Sequence, residues 1–157
     1  MKNVIYFLLI AISLISCDDN EPIDCCTVVD IGILIKYVDQ NGDNIIDKTN
    51  GIESSKIKIF HHINNDWVLY YDSNMDVSKG FKVIEINGEN YISVFPSDHY
   101  IDHQFSETRI QFSDNDFDQI RTEFDFSHGN TICTKVWYNE ALVWDHYHGE
   151  RKIEVKR

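Results

Sequence analysis

The chain of 157 residues carries 26 Asp and Glu against 14 Lys and Arg, a formal net charge of −12. A surface this acidic repels phosphate backbones and anionic headgroups, which excludes nucleic acid as a partner and adsorption to acidic lipid as a means of attachment. With 43% apolar and 13% aromatic residues, the chain can bury one sizeable core, and its aromatic and β-branched content suits pleated, half-buried surfaces.

Lys2 opens the sequence with a positive charge, and residues 4–15 follow as an apolar run. That run is shorter than the roughly 20 residues a membrane-spanning helix needs. It ends in Leu14-Ile15-Ser16-Cys17, followed at once by Asp18 and Asp19. A short positive start, an apolar stretch and a small residue before the cut describe a secretory signal. The four-residue ending resembles the lipobox of bacterial lipoproteins, in which a peptidase cuts before a cysteine that carries lipid. The resemblance implies a signal peptide over residues 1–16, lipidation at Cys17 and attachment to the outer membrane of a Gram-negative envelope, facing either the periplasm or the surface. Since each buried CH₂ contributes about 0.8 kcal/mol, an anchor of two or three acyl chains would hold firmly. The acidic residues after Cys17, with Pro22, read as a tether over 17–26 that holds a domain at 27–157 off the membrane.

Cys25, Cys26 and Cys133 remain once Cys17 takes lipid. Three thiols permit at most one internal bridge, and Cys133 with Cys25 or Cys26 avoids the strained vicinal ring. Such a bridge would contribute about 4–5 kcal/mol by closing a long loop. Three unbridged thiols fit the spacing equally.

From Thr27 the apolar pattern has the period of strands. Residues 29–38 form a β-branched run, with Ile31, Ile33, Ile35 and Tyr37 on one face and Leu34 and Val38 on the other. Residues 57–61 and 67–71 flank Asn64-Asn65-Asp66, a turn signal. Residues 81–86 and 89–95 flank Asn87-Gly88, the strongest hairpin signal in the chain. Residues 108–113 make a short strand. Residues 120–126 alternate, with Ile120, Thr122, Phe124 and Phe126 inward. Residues 132–138, 142–144 and 153–155 complete the set. The expectation is an all-β fold, an antiparallel β-sandwich of about nine strands, immunoglobulin-like or transthyretin-like.

Three places could carry chemistry. Asp39, Asn41, Asp43 and Asp47 offer oxygen atoms at the spacing of a Ca²⁺ loop. The glycine of that loop stands fourth, where an EF-hand has it sixth, and an Asx/Gly turn with solvated acids fits the same residues. Trp67, Trp137 and Trp144, with eight tyrosines, could form a stacking platform for a glycan or peptide, or fill the core. Trp137 is expected to share its face with Lys135 and Cys133. Of the seven histidines, adjacent His61 and His62 point to opposite faces, which suits no shared metal. Asp114, Asp116 and Asp118 lie in a turn-like segment and read as solvated. No nucleophile elbow, phosphate loop or zinc-protease motif is present in the sequence.

The Asp39–Asp47 segment, together with Lys135-Val136-Trp137-Tyr138-Asn139-Glu140-Ala141-Leu142-Val143-Trp144, resembles a group of small envelope lipoproteins built on a single β domain. Asn139-Glu140 stands where Asn-Gly is expected, and because Glu tolerates positive φ poorly a longer loop is expected there. The resemblance implies fold and location and adds no activity. The functional expectation is therefore a non-enzymatic binding or structural module with a protein or glycan partner. The alternatives are a calcium-dependent adhesion-like module and an envelope hydrolase.

Overall fold

The computed structural model describes residues 27–157. The expected signal peptide, lipidation at Cys17 and tether, and the cysteines Cys25 and Cys26, lie outside the described residues.

Among the described residues, eleven strands build two sheets: β1 (Val29–Asp30), β2 (Ile33–Val38), β3 (Lys58–Ile63), β4 (Asp66–Leu69), β5 (Phe81–Ile86), β6 (Glu89–Val94), β7 (Phe105–Ser113), β8 (Asp116–Asp125), β9 (Thr131–Tyr138), β10 (Ala141–Asp145) and β11 (Lys152–Lys156). The larger sheet runs β1-β9-β8-β7-β3-β4, with β10 also paired to β9. The smaller runs β11-β2-β6-β5. Their inner faces meet in one core. Ile33, Ile35, Tyr37, Ile92, Val94 and Ile153 come from the small sheet, and Ile59, Ile110, Ile120, Phe124, Val136, Tyr138 and Trp144 from the large one. The molecule is an all-β sandwich, as the alternating sequence implies. Most pairings are antiparallel, but β1–β9 and β11–β2 are parallel, so both sheets are mixed.

Two-residue turns carry the hairpins. Asn64 and Asn65 have φ of 51° and 69°, and Asn87 and Gly88 have 54° and 82°. Positive φ at both central positions is the turn geometry that matches strand twist. The turn at Asn139-Glu140 is equally tight, with φ of 45° and 72°, where a longer loop was expected. Asn139 holds it closed: its N–H donates to the Gln119 carbonyl at 2.9 Å and its Oδ1 accepts from the Gln119 N–H at 2.8 Å. These bonds offset the strain of Glu140 in the left-handed region.

Four other expectations change. The run 29–38 is two strands, because the chain crosses between sheets at Ile31-Gly32. Arg151 clamps that crossing, donating to the Gly32 carbonyl at 2.8 Å, to both Asp30 carboxylate oxygens and to the Cys133 carbonyl at 3.2 Å. Its guanidinium carbon lies 4.7 Å from the Trp144 ring centroid. Phe126 is exposed, since β8 ends at Asp125 and the following Ser127–Gly129 is a 3₁₀ turn. Cys133 does not share the face of Trp137. A bulge sets Phe124 opposite Cys133 and Glu123 opposite Lys135, so Cys133 turns inward beside Val136. One inserted residue reverses the side-chain alternation. Asp118 is buried, with its side chain toward the core end of β8.

Candidate binding face

Strand alternation leaves the outer face of the large sheet to Phe105, Glu107 and Arg109 of β7, Phe117, Gln119 and Arg121 of β8, and Trp137 of β9. Register aligns one continuous row across six strands. Leu142 pairs with Trp137, Trp137 with Arg121, Arg121 with Glu107, and His62 with Trp67. The gap between β7 and β3 is closed by His62 Nδ1 and Glu107 Oε2, 3.0 Å apart.

Cations and rings interleave along this face. The Arg109 guanidinium lies between Trp67 and Phe117, 4.1 Å from each ring centroid. His62 stacks on Trp67 at 5.0 Å, so Trp67 has guanidinium and imidazole neighbours and serves as a ladder element. Arg121 sits 4.2 Å from the Phe105 centroid and 5.8 Å from that of Trp137. Phe105 meets Trp137 edge-on at 6.1 Å. Each such cation–π contact contributes about 0.5–1 kcal/mol where exposed and about 2 where desolvated. The rings are therefore held rigidly while remaining outside the core.

Between Trp137 and Phe117 the face dips into a depression of about 530 Å³, lined by Glu107, Phe117, Gln119, Arg121, Trp137, Asn139 and Glu140. Asn139 is spent on closing the hairpin: besides its bonds to Gln119, its Nδ2 donates to Asp118 Oδ1 at 2.9 Å. Among the described residues, Arg121 makes no ion pair, and the Gln119 and Glu140 side chains make no hydrogen bond. The depression thus offers two aromatic walls, a guanidinium, an amide and a carboxylate whose hydrogen-bonding capacity is unspent. Flat rings flanked by donors and acceptors suit a ligand with apolar faces and polar edges.

Of the residues singled out in the sequence, Trp137 lies in this site. Arg121, Gln119, Phe117 and Glu140 are added by the structure. The signal for Phe117, Gln119 and Arg121 was the outward half of β8, which the sequence presents simply as a wet face, while Glu140 comes from the β9–β10 turn.

The Asp39–Asp47 loop lies elsewhere. Asp39 Oδ1 accepts from the Asn41 and Asp43 N–H groups at 2.8 and 3.0 Å. Those amides hold the Asp39 carboxyl below its ordinary range. The Asp47 carboxylate accepts from the Ser54 N–H and hydroxyl, both at 2.8 Å. A Cβ on Gly51 would fall 2.0 Å from the Ile45 carbonyl oxygen, so the loop tolerates only glycine there. Asp39 therefore shapes its own turn, while Asp47 ties down the next. Among the described residues, no group of three or more His, Cys, Asp or Glu is placed to hold a metal ion.

Cys133 is fully buried, and burial pushes its thiol up to about 11. No helix among the described residues is long and apolar enough to cross a membrane. Compared with known proteins, the chain matches no family model, no curated protein and no solved structure.

Proposed function

We propose that the chain is an exported lipoprotein, anchored through Cys17 in a Gram-negative outer membrane, whose β-sandwich binds a saccharide on the outer face of the large sheet. The observation that carries the binding reading is the depression at Trp137. Its two rings line it together with Arg121, Gln119 and Glu140, whose side chains make no hydrogen bond or ion pair among the described residues. Stacking on a sugar's apolar face while its hydroxyls bond to those groups uses both halves of the site. An apolar peptide would leave the guanidinium and carboxylate desolvated, at a cost of a few kcal/mol.

The position of the site fits attachment from the N-terminal side. The described chain begins beside the start of β9, where the Val28 N–H donates to Asn130 Oδ1 at 2.9 Å and the Val28 carbonyl accepts from Thr131. The depression lies at the other end of that strand, beside Asn139 and Glu140. Eight residues of β9 at about 3.3 Å each separate the two by about 25 Å. A tether rising at Val28 would therefore present the site away from its own anchor.

Binding is tested by probing a printed glycan array with the chain. A discrete set of bound saccharides supports the reading, and background signal throughout refutes it. The anchor is tested separately, by feeding cells an alkyne-bearing fatty acid and following label and membrane fractionation in the wild type and in Cys17→Ser. Label at wild-type Cys17 that is lost in the variant is expected. An unlabelled wild-type chain would overturn the lipoprotein assignment.

A further inference from the structure

A second concavity lies where β4 leaves the large sheet. β4 pairs with β3 only from Ile63 back to Phe60. Past that point the Tyr70 N–H donates to the Ile59 carbonyl at 2.8 Å, and the chain turns away toward β5. Among the described residues, the β4-side edge of β3 before Ile59 has no strand beside it, while β7 holds the other edge. A cleft of about 580 Å³ opens there. Its inner wall is apolar, built from Ile57, Ile59, Tyr70 and Phe112, and Leu69 continues it outward.

Three exposed lysines, Lys56, Lys58 and Lys79, line the same cleft, against one acid, Asp114. Lys56 is paired with Glu53 at 2.8 Å. Lys58 and Lys79 make no ion pair among the described residues. In a chain whose net charge is −12, an apolar cleft edged by two unpaired ammonium groups is a local reversal of sign.

We infer that this cleft binds an amphiphilic anion, a linear alkyl chain ending in a carboxylate or phosphate head. The alkyl chain lies on Ile57, Ile59, Phe112 and Leu69, where each buried CH₂ strengthens binding about fourfold. The anionic head reaches Lys58 and Lys79 in partly exposed surroundings, where each charge-assisted contact is modest. Affinity therefore grows with chain length, and selectivity for anions comes from the lysines. The site is separate from the saccharide face, and neither inference requires the other.

The test is calorimetric titration of the full-length chain carrying Cys17→Ser with dodecanoate, dodecyl phosphate and dodecyltrimethylammonium, each below its micelle concentration. One-to-one binding of at least one anion is expected, with the cation about tenfold weaker or more. The tighter anion identifies the head as carboxylate or phosphate. The double variant Lys58→Gln, Lys79→Gln should bind that anion about fivefold more weakly, with an unchanged melting temperature because neither lysine holds a partner in the fold. Leu69→Glu, at a half-exposed wall position, should weaken it about tenfold by placing a carboxylate in the cleft. Absence of binding by both anions overturns the inference. So does equal binding of the cation, or anion binding that both variants leave intact, which would place the ligand on another apolar segment.

Discussion

Tyr138 donates its phenolic hydrogen to Asp118 Oδ2 inside the sandwich, and the Tyr37 hydroxyl lies 2.9 Å from that of Tyr138. With Tyr138 committed as donor to the carboxylate, Tyr37 supplies the hydrogen between the two phenols. Arg157 completes the system, reaching Asp118 at 3.2 Å and Asp116 at 2.7 and 2.9 Å. Burial pushes both phenols well above their ordinary range. The network joins β2, β8, β9 and the end of the chain across the two sheets. Tyr138→Phe should destabilise the fold by about 1–3 kcal/mol, because a buried carboxylate loses one of its donors. Tyr37→Phe should cost about 1 kcal/mol. Urea denaturation of both variants checks the order.

Acid should weaken the fold through one buried histidine. His61 is 4% exposed, its Nε2 has no hydrogen-bond partner, and burial drops its imidazole to about 4. Asp98 pulls the other way and His99 adds to the drop. The unfolded chain takes up a proton at this histidine near pH 6.5 while the folded chain stays neutral. Stability is therefore full above about pH 6.5 and falls toward pH 4, by about 3 kcal/mol over the window. His61→Phe should flatten that slope, as read from melting temperatures between pH 7 and pH 4.5. A slope unchanged by the substitution would assign it to other groups.

The Arg151 clamp should be among the costliest polar side chains to remove. Its donors satisfy the Gly32 and Cys133 carbonyls where the chain changes sheets. Arg151→Ala leaves both short of a partner and takes the cation from Trp144, an expected loss of about 2–4 kcal/mol. Arg151→Lys should recover only part of it, since one ammonium cannot span both carbonyls and Asp30. Chemical denaturation of the two variants measures both.

Local features of this chain were readable because they are decided locally. Asn87-Gly88 and Asn64-Asn65 turn where they do because those residues tolerate positive φ, and β8 alternates because one of its faces meets water. Features decided by distant partners were not readable. The run from Val29 to Val38 looks continuous, and only Arg151, far along the chain, marks where it breaks. The bulge that sends Cys133 inward is set by the register of β8 against β9. Asp118 looked solvated beside Asp114 and Asp116, yet Tyr138, Asn139 and Arg157 gather around it from later in the chain. For the site, Trp137 stood out as an aromatic candidate. Arg121, Gln119 and Glu140 are ordinary polar residues until the sheet sets them beside its ring.

The most direct measurement is a glycan-array comparison of the wild-type chain with Trp137→Ala, Arg121→Gln and Asp43→Asn. The wild type should bind a discrete set of saccharides, Trp137→Ala should lose about tenfold or more of that binding, and Arg121→Gln should also lose affinity. Asp43→Asn, in the distant loop, should bind as the wild type does. Background binding by the wild type, or binding that survives Trp137→Ala undiminished, would contradict a saccharide site on this face.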